Sequence, residues 1–527
     1  MNLRVSQALA DRLVSIPLHL RGFRRLVLSM ATGAMGALAF EPYRIFPLLL
    51  LSYAGFVLLL DGASKSPHKF RSAWWIGWCY GFGFFLTGLY WVGYAFLVDA
   101  QAHAWELPFV AILLPGGLGL FFGAGALLCV LFWRPGVRRI FAFAVIFALI
   151  EWLRGHVLTG FPWNLPAYGW GASTAILQSA SIFGAYGLSL LTLLFGASLA
   201  VFAPAHDTRE RLLPIAMALF FLALWADGEA RLATATSATV PGVRLRIVQP
   251  DTPEPEKNDP RLTVRNWQRL MALSLAPAAE APTHIIWPEA APPFPLEQVP
   301  AALADIARLT ARGAVLMTGT VRIEQNGGHP RFFNSFAMFG SGGKLLASSD
   351  KFHLVPFGEY LPFESALRSV GLTEIAANTG FSSGSGPRTF AVPGAPPVTP
   401  LICYEIIFPR RVTGTPRPLW LVNMTDDSWF GPNAGPRQHL LIARVRAIEE
   451  GLPIARAANS GISVVIDAYG RIRARLDLGL RGTLDTGLPV ALPVTPFARY
   501  GNAILLTLIL LCVLLAVRPA RRNDSLT

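Results

Sequence analysis

Long apolar runs constrain this chain more than any other feature. They occupy about residues 26–40, 45–60, 73–96, 107–132, 139–153, 174–202, 212–226 and 502–517. A hydrocarbon core needs roughly 20 apolar residues to be crossed by a helix, and several runs reach that length. The shorter runs, 26–40, 45–60 and 139–153, lie in one nearly unbroken apolar stretch and read as further spans. Gly and Pro recur within them, as membrane helices tolerate. With 53% hydrophobic and 15% charged residues in 527, neither a disordered nor a wholly soluble chain fits.

Charge placement tests the count of eight. With a cytoplasmic N-terminus, the inside segments hold sixteen Lys and Arg, among them Arg24, Arg25, Lys65, Lys69, Arg138, Arg209 and Arg521. The short outside loops hold two, Arg44 and Arg154. Basic residues gather on the cytoplasmic side of membrane proteins, so this split predicts eight spans with both termini inside. Region 227–500 carries 27 basic and 23 acidic residues, so most of the net charge of +13 belongs to topology and not to nucleic-acid binding. Arg24-Arg25, an apolar run and Ala37-Leu38-Ala39 imitate a cleavable signal, but further spans follow at once, which predicts an uncleaved first helix. Asp99, Glu106 and Glu151 lie near helix ends and the span interiors are nearly free of charge, unlike a transporter. The expected organisation is a cytoplasmic segment 1–25, spans 1–7 in 26–226, an extracytoplasmic domain 227–500, and a last span with a cytoplasmic tail in 501–527.

From about residue 240 the pattern changes to short β-branched runs. Arg244–Gln249, His284–Trp287, Val315–Thr318, Thr399–Cys403, Leu419–Asn423 and Ile462–Asp467 read as strands. Arg261–Leu275, Leu303–Arg312 and Gln438–Glu450 read as helices between them, which together predict a layered α/β domain. Gly340–Gly343 reads as a hairpin turn, and the Gly-, Pro- and Ser-rich Gly384–Pro400 as a loop or turn region. Leu361–Phe381 is apolar for a loop. It reads either as local packing or as a lid touching the bilayer or an acyl chain.

Reactive groups stand where strands end. The segments are Trp287-Pro288-Glu289, Lys351 through Glu359-Tyr360, Cys403-Tyr404-Glu405 and Trp429-Phe430-Gly431. Of the four cysteines, Cys79, Cys129 and Cys512 lie in apolar runs, so Cys403 has no disulfide partner in the polar region. Taken singly, a turn glutamate, a surface lysine and a core cysteine are ordinary. Together they offer a base, a cation and a nucleophile. The nine histidines are scattered and no phosphate-binding Gly-rich loop stands out, so neither metal nor cofactor is expected.

The Glu289, Lys351 and Cys403 set resembles that of the nitrilase superfamily. Longer motifs narrow the resemblance to the apolipoprotein N-acyltransferase family: Trp287-Pro-Glu289, His353-Leu-Val-Pro-Phe-Gly-Glu-Tyr-Leu-Pro362, Cys403-Tyr-Glu405, Trp429-Phe-Gly431, Asn334-Ser335, Glu151-Trp-Leu-Arg-Gly155 and Gly160-Phe-Pro-Trp163. The resemblance implies an α-β-β-α sandwich on an eight-helix membrane bundle in a bacterial inner membrane, with the sandwich in the periplasm. It implies Glu289 as general base, Lys351 as oxyanion stabiliser and Cys403 as nucleophile, supported by Glu359, Tyr404, Glu405, Asn334 and Trp429. A phospholipid would donate an acyl group, through a Cys403 thioester, to the N-terminal amine of a diacylglyceryl-apolipoprotein, the enzyme acting as a monomer. A membrane-tethered nitrilase-type amidase is the alternative. The chain departs from the family at Asn258 between Lys257 and Asp259, where tryptophan is usual, at Phe332 and Phe333, at Ser349, and at Asp426, where asparagine is usual.

Overall fold

The computed structural model describes residues 20–202, 208–257, 259–326, 329–362, 369 and 380–517. They form two compact units, one of residues 1–90, 105–233 and 499–527 and one of 91–104 and 234–498.

The first unit is helical. Its helices α1 (Gly22–Ala37), α2 (Pro47–Ser64), α3 (Lys69–Gly88), α4 (Leu107–Leu131), α5 (Arg138–Arg154), α6 (Ala180–Ser198) and α7 (Leu212–Ala233), with a last helix Asn502–Val517, each fall on one of the eight apolar runs. Among the described residues, four stretches are long and apolar enough to cross a membrane: Pro47–Ser64, Ala100–Leu131, Ala180–Phe202 and Arg209–Ala233. Apolar helices gain little from burial against one another in lipid and pack through small residues. Accordingly, a Cβ on Gly33 would lie 2.0 Å from the Tyr80 carbonyl oxygen and one on Gly83 2.1 Å from that of Met30, so α1 and α3 touch backbone to backbone. The Glu151 and Trp163 motifs also meet. Arg154 pairs with Glu151 and donates to the Phe161 carbonyl and, at 2.9 Å, to the Trp163 carbonyl.

The second unit is a sandwich of two six-stranded sheets. The first sheet is built from β1 (Thr239–Gln249), β2 (His284–Ile286), β3 (Val315–Asn326), β4 (His329–Phe339) and β5 (Leu345–Asp350), with β12 (Gly482–Pro489) beside β1. The second is built from β6 (Phe390–Val392), β7 (Ala395–Ile402), β8 (Trp420–Thr425), β9 (Ile454–Ala458), β10 (Ser463–Ile466) and β11 (Ile472–Leu476). Each has a parallel centre, β1-β2-β3 in one and β7-β8-β9 in the other. Alternate strand residues explain the layers. Ile247, Ile286 and Met317 face Val398, Val422 and Ala455 between the sheets. Their neighbours Val248, Ile285 and Leu316 turn outward onto helices α8 (Thr263–Ser274) and α9 (Pro300–Thr310). Helix α10 (Ala434–Glu450) connects β8 to β9 and is buried over most of its length.

All six strands and three helices expected from the pattern are present, with shifted ends, and Gly340–Gly343 does join β4 to β5. The segment Gly384–Pro400 is loop only as far as residue 389. It holds the β6–β7 hairpin, turned at Gly394 (φ +72°). Its prolines serve the sheet as acceptors: the Pro397 carbonyl receives Leu419 N–H (2.9 Å), and the Pro396 carbonyl receives the Trp420 indole (2.8 Å). A proline lacks only the donor, so a strand with few donors asked of it accommodates one. Most of Leu361–Phe381, and Asn258, lie outside the described residues.

Candidate active site

Parallel sheets converge functional groups at the carboxyl ends of their strands. Here β2 runs into Glu289, β7 into Cys403 and β8 into Asp426, while β5 delivers Lys351. Gly319 permits the approach. A Cβ there would sit 2.6 Å from Glu289 Cα and 2.7 Å from Ala290 N.

Lys351 is buried, and its Nζ donates to Glu289 Oε1 (3.1 Å) and Glu359 Oε1 (2.9 Å). Asn334 Nδ2 spans the same two carboxylates, at 2.7 and 3.0 Å. The other Glu289 oxygen accepts the backbone N–H of Asp426 (3.0 Å), and Glu359 Oε2 that of Val355 (2.8 Å). Burial opposes the Lys351 charge, but Glu289, then Glu359 and Cys403, hold it well above the ordinary lysine value. Burial likewise opposes ionisation of Glu359, and Lys351 pulls it below the usual carboxylate range.

Cys403 occupies a sharp elbow between β7 and a short 3₁₀ turn, Cys403–Ile407, with φ +48°. A non-glycine residue in the left-handed region is strained, and the surroundings must hold it there. Burial, and then the Glu289 charge, push the thiol well above its usual value, and the Lys351 charge that pulls it down is outweighed. A neighbouring lysine alone does not make the thiolate, and the proton must have an acceptor.

Glu405 does not reach the acid–lysine pair by hydrogen bond. Its carboxyl accepts N–H groups from Ile402 (2.7 Å), Phe352 (2.6 Å) and His353 (3.3 Å), so it ties the cysteine elbow to the lysine turn. Burial outweighs these donors and pushes Glu405 up to about 8. Tyr404 packs edge-on against His353 and Phe408. Trp429 is 40% exposed, and it is Phe430 that turns inward, onto Trp91 with ring centres 4.7 Å apart. Among the departures from the family, Lys257 Nζ pairs with Asp426 Oδ2 (2.7 Å), which neutralises the carboxylate where asparagine is usual. Phe333 lies beneath the guanidinium groups of Arg322 (4.2 Å) and Arg331 (5.0 Å).

A second buried group had no motif to announce it. Asp427 Oδ1 and His439 Nδ1 are 3.0 Å apart, Arg456 Nη2 donates to Asp427 Oδ2 (2.7 Å), and His439 Nε2 meets the Cys403 carbonyl (3.3 Å). Cys403, Asp427 and His439 bring a donor atom each within 4.8 Å of one another. Only the Asp-Asp pair and the histidine eight positions into the spacing after Gly431 stood in the sequence as a clue, and neither has chemistry attached by spacing alone.

A cysteine elbow facing a lysine bridged by two glutamates, at the strand ends of a two-sheet sandwich, defines a nitrilase-type domain, and residues 244–492 match the carbon-nitrogen hydrolase family model. Residues 32–198 match the apolipoprotein N-acyltransferase N-terminal domain. Apolipoprotein N-acyltransferase of Rhodopseudomonas palustris is 42% identical over 515 residues, 94% of this chain and 96% of the relative. That of Bradyrhizobium diazoefficiens is 40% identical over 511 residues, 94% of this chain and 95% of the relative. Among solved structures, an amidase from Nesterenkonia sp. is similar at 20% identity and TM-score 0.34, covering 48% of this chain and 94% of its own. The chain belongs to the apolipoprotein N-acyltransferase family. Likeness to full-length members across both units favours acyl transfer over the amidase alternative.

Proposed function

We propose that this chain moves a fatty acyl group from a phospholipid to the N-terminal amine of a diacylglyceryl-cysteine apolipoprotein by a ping-pong reaction at Cys403. The observation that carries the reading is Lys351 Nζ held between Glu289 and Glu359 beside a buried, strained cysteine. In the first half-reaction Glu289 takes the Cys403 proton as sulfur attacks the ester carbon. The C–S bond forms, and the carbonyl oxygen becomes an oxyanion held by Lys351 and the Tyr404 N–H. As the C–O bond breaks, Glu289 returns the proton to the lysophospholipid oxygen, leaving a thioester. In the second half-reaction the lipoprotein amine, with an ordinary pKa of about 8, attacks the thioester. Glu289 accepts a proton from nitrogen, the C–S bond breaks, and the proton goes back to sulfur. The amide product is more stable than the thioester it replaces. Water competes for the thioester, so the site must be dry, and the burial of Lys351 and Cys403 serves that need.

The same reading places the helical unit across a bacterial inner membrane as eight spans, with both termini cytoplasmic and the sandwich in the periplasm. Glu359 tunes Lys351, Asn334 orients both glutamates, Glu405 clamps the two turns, and Trp429 stands at the rim where lipid arrives. The enzyme acts as a monomer on two bilayer-anchored substrates. The test is incubation of the full-length protein with a phospholipid radiolabelled in its acyl chains. Hydroxylamine-labile label should appear on Cys403 and discharge onto a diacylglyceryl-cysteine peptide. Absence of label, or equal labelling of Cys403→Ala, defeats the mechanism.

A further inference from the structure

The buried Asp427, His439 and Arg456 group lies against the nucleophile yet has no part in the reaction above. Its hydrogen bonds fix its chemistry. Both of these partners only accept: the Cys403 carbonyl faces His439 Nε2 (3.3 Å) and Asp427 Oδ1 faces Nδ1 (3.0 Å), and a grip on the carbonyl uses the proton on Nε2. Burial, and then the Arg456 charge, lower the His439 pKa, while Asp427 raises it. Arg456 Nη2 donates to Asp427 Oδ2 (2.7 Å) and lies 3.0 Å from His439 Nδ1. Thr425 donates its hydroxyl to Asp427 Oδ1 (2.9 Å), and Arg456 Nη1 donates to Asn423 Oδ1. Asn423 Nδ2 also approaches the Cys403 carbonyl (3.5 Å). Both imidazole nitrogens are therefore already engaged within this set.

What it does hold is one end of a peptide plane. The Cys403–Tyr404 bond is trans, and in a trans peptide the C=O and the following N–H point to opposite edges of one rigid plane. Fixing the Cys403 carbonyl thus fixes the direction of the Tyr404 N–H. We propose that His439 is a positioning residue that aims the Tyr404 N–H at the oxyanion by gripping the Cys403 carbonyl, with Asp427 and Arg456 locking the imidazole. This rests on the acyl-transfer reading of the site. A donor aimed in advance needs no reorganisation when charge develops, which is what gives oxyanion donors their effect. The grip also explains how a cysteine with φ +48° is kept in that conformation.

The experiment compares two reactions of Cys403 in the full-length protein. Acylation by radiolabelled phospholipid passes through an oxyanion. Alkylation by iodoacetamide needs the sulfur but forms none. In His439→Leu, single-turnover acylation should fall roughly 10²-fold, the effect of losing one oxyanion donor. The phospholipid concentration for half-saturation and the pH profile of alkylation should stay as in the parent. His439→Gln, whose carboxamide N–H reaches toward the same carbonyl, should recover most of the acylation rate. The more conservative glutamine variant also covers the case in which leucine unfolds the domain, and alkylation with a thermal melt reports folding in both. The proposal is overturned if both variants acylate at the parental rate, if they are equally slow, or if alkylation shifts with pH as it would on loss of a thiol base. Failure of the parent itself to form a thioester defeats the acyl-transfer reading instead, with alkylation still showing a reactive sulfur.

Discussion

Lys351 is the residue on which most of the site's electrostatics turn. It balances two carboxylates in a buried place, and removing one partner of a buried ion pair leaves charge uncompensated, at a cost of about 3–5 kcal/mol. Lys351→Met is therefore expected to lower the melting temperature as well as abolish acylation. A melt that matches the parent would show that Glu289 and Glu359 relax into water. Glu405 makes a pH prediction. Its ordinary value of 4.5 is raised to about 8 by burial in the folded chain. Folded protein keeps a proton that unfolded protein gives up, so stability is full below about 4.5 and is lost as pH rises through about 8. Glu405→Gln cannot ionise. Its melting temperature should vary less than the parent's between these limits, which thermal melts in a pH series would check.

At the scale of elements, the site depends on how closely strands approach. Gly319 on β3 lies where any side chain would strike Glu289 Cα, 2.6 Å from an added Cβ. In Gly319→Ala the Glu289 turn must move, and a displacement of about 1 Å in a catalytic group costs roughly 10²-fold in rate. Acylation should fall while the protein still folds, since overpacking of this size typically costs about 1–3 kcal/mol. A parental rate would show that the base is not held by β3. The segment Trp91–Ala104 has a matching role. It groups with the sandwich, where Trp91 donates to Gln438 (3.0 Å) and meets Phe430 edge to face, and a Cβ on Gly431 would meet the Tyr94 ring at 2.5 Å. Trp91→Ala removes a buried aromatic and should expose the Ser428–Phe430 turn to limited proteolysis, read by mass spectrometry of the first fragments.

At the scale of the whole molecule, two exposed positions test the proposed topology. Arg473 lies on the edge strand of the sandwich, and Lys65 follows α2. With the sandwich outside, Arg473→Cys should react with a membrane-impermeant maleimide on intact spheroplasts, and Lys65→Cys only after permeabilisation. The reverse pattern would invert the protein in the membrane.

The helical unit was legible because apolar length and the placement of Arg and Lys are properties of composition, and each of the eight runs became a helix. The sandwich was legible in its central strands, whose β-branched runs are buried on both faces. It was not legible at β6 and the first half of β7, where glycine and proline imitate a loop until neighbouring strands use their carbonyls. Glu289, Lys351 and Cys403 could be named from local motifs, each bearing a group whose reactivity is intrinsic. His439, Asp427 and Arg456 could not. Their meaning comes from which backbone atom they touch, and only the packing of α10 against the cysteine elbow sets that contact. Covalent character and hydropathy travel with the chain; direction and distance belong to the folded state.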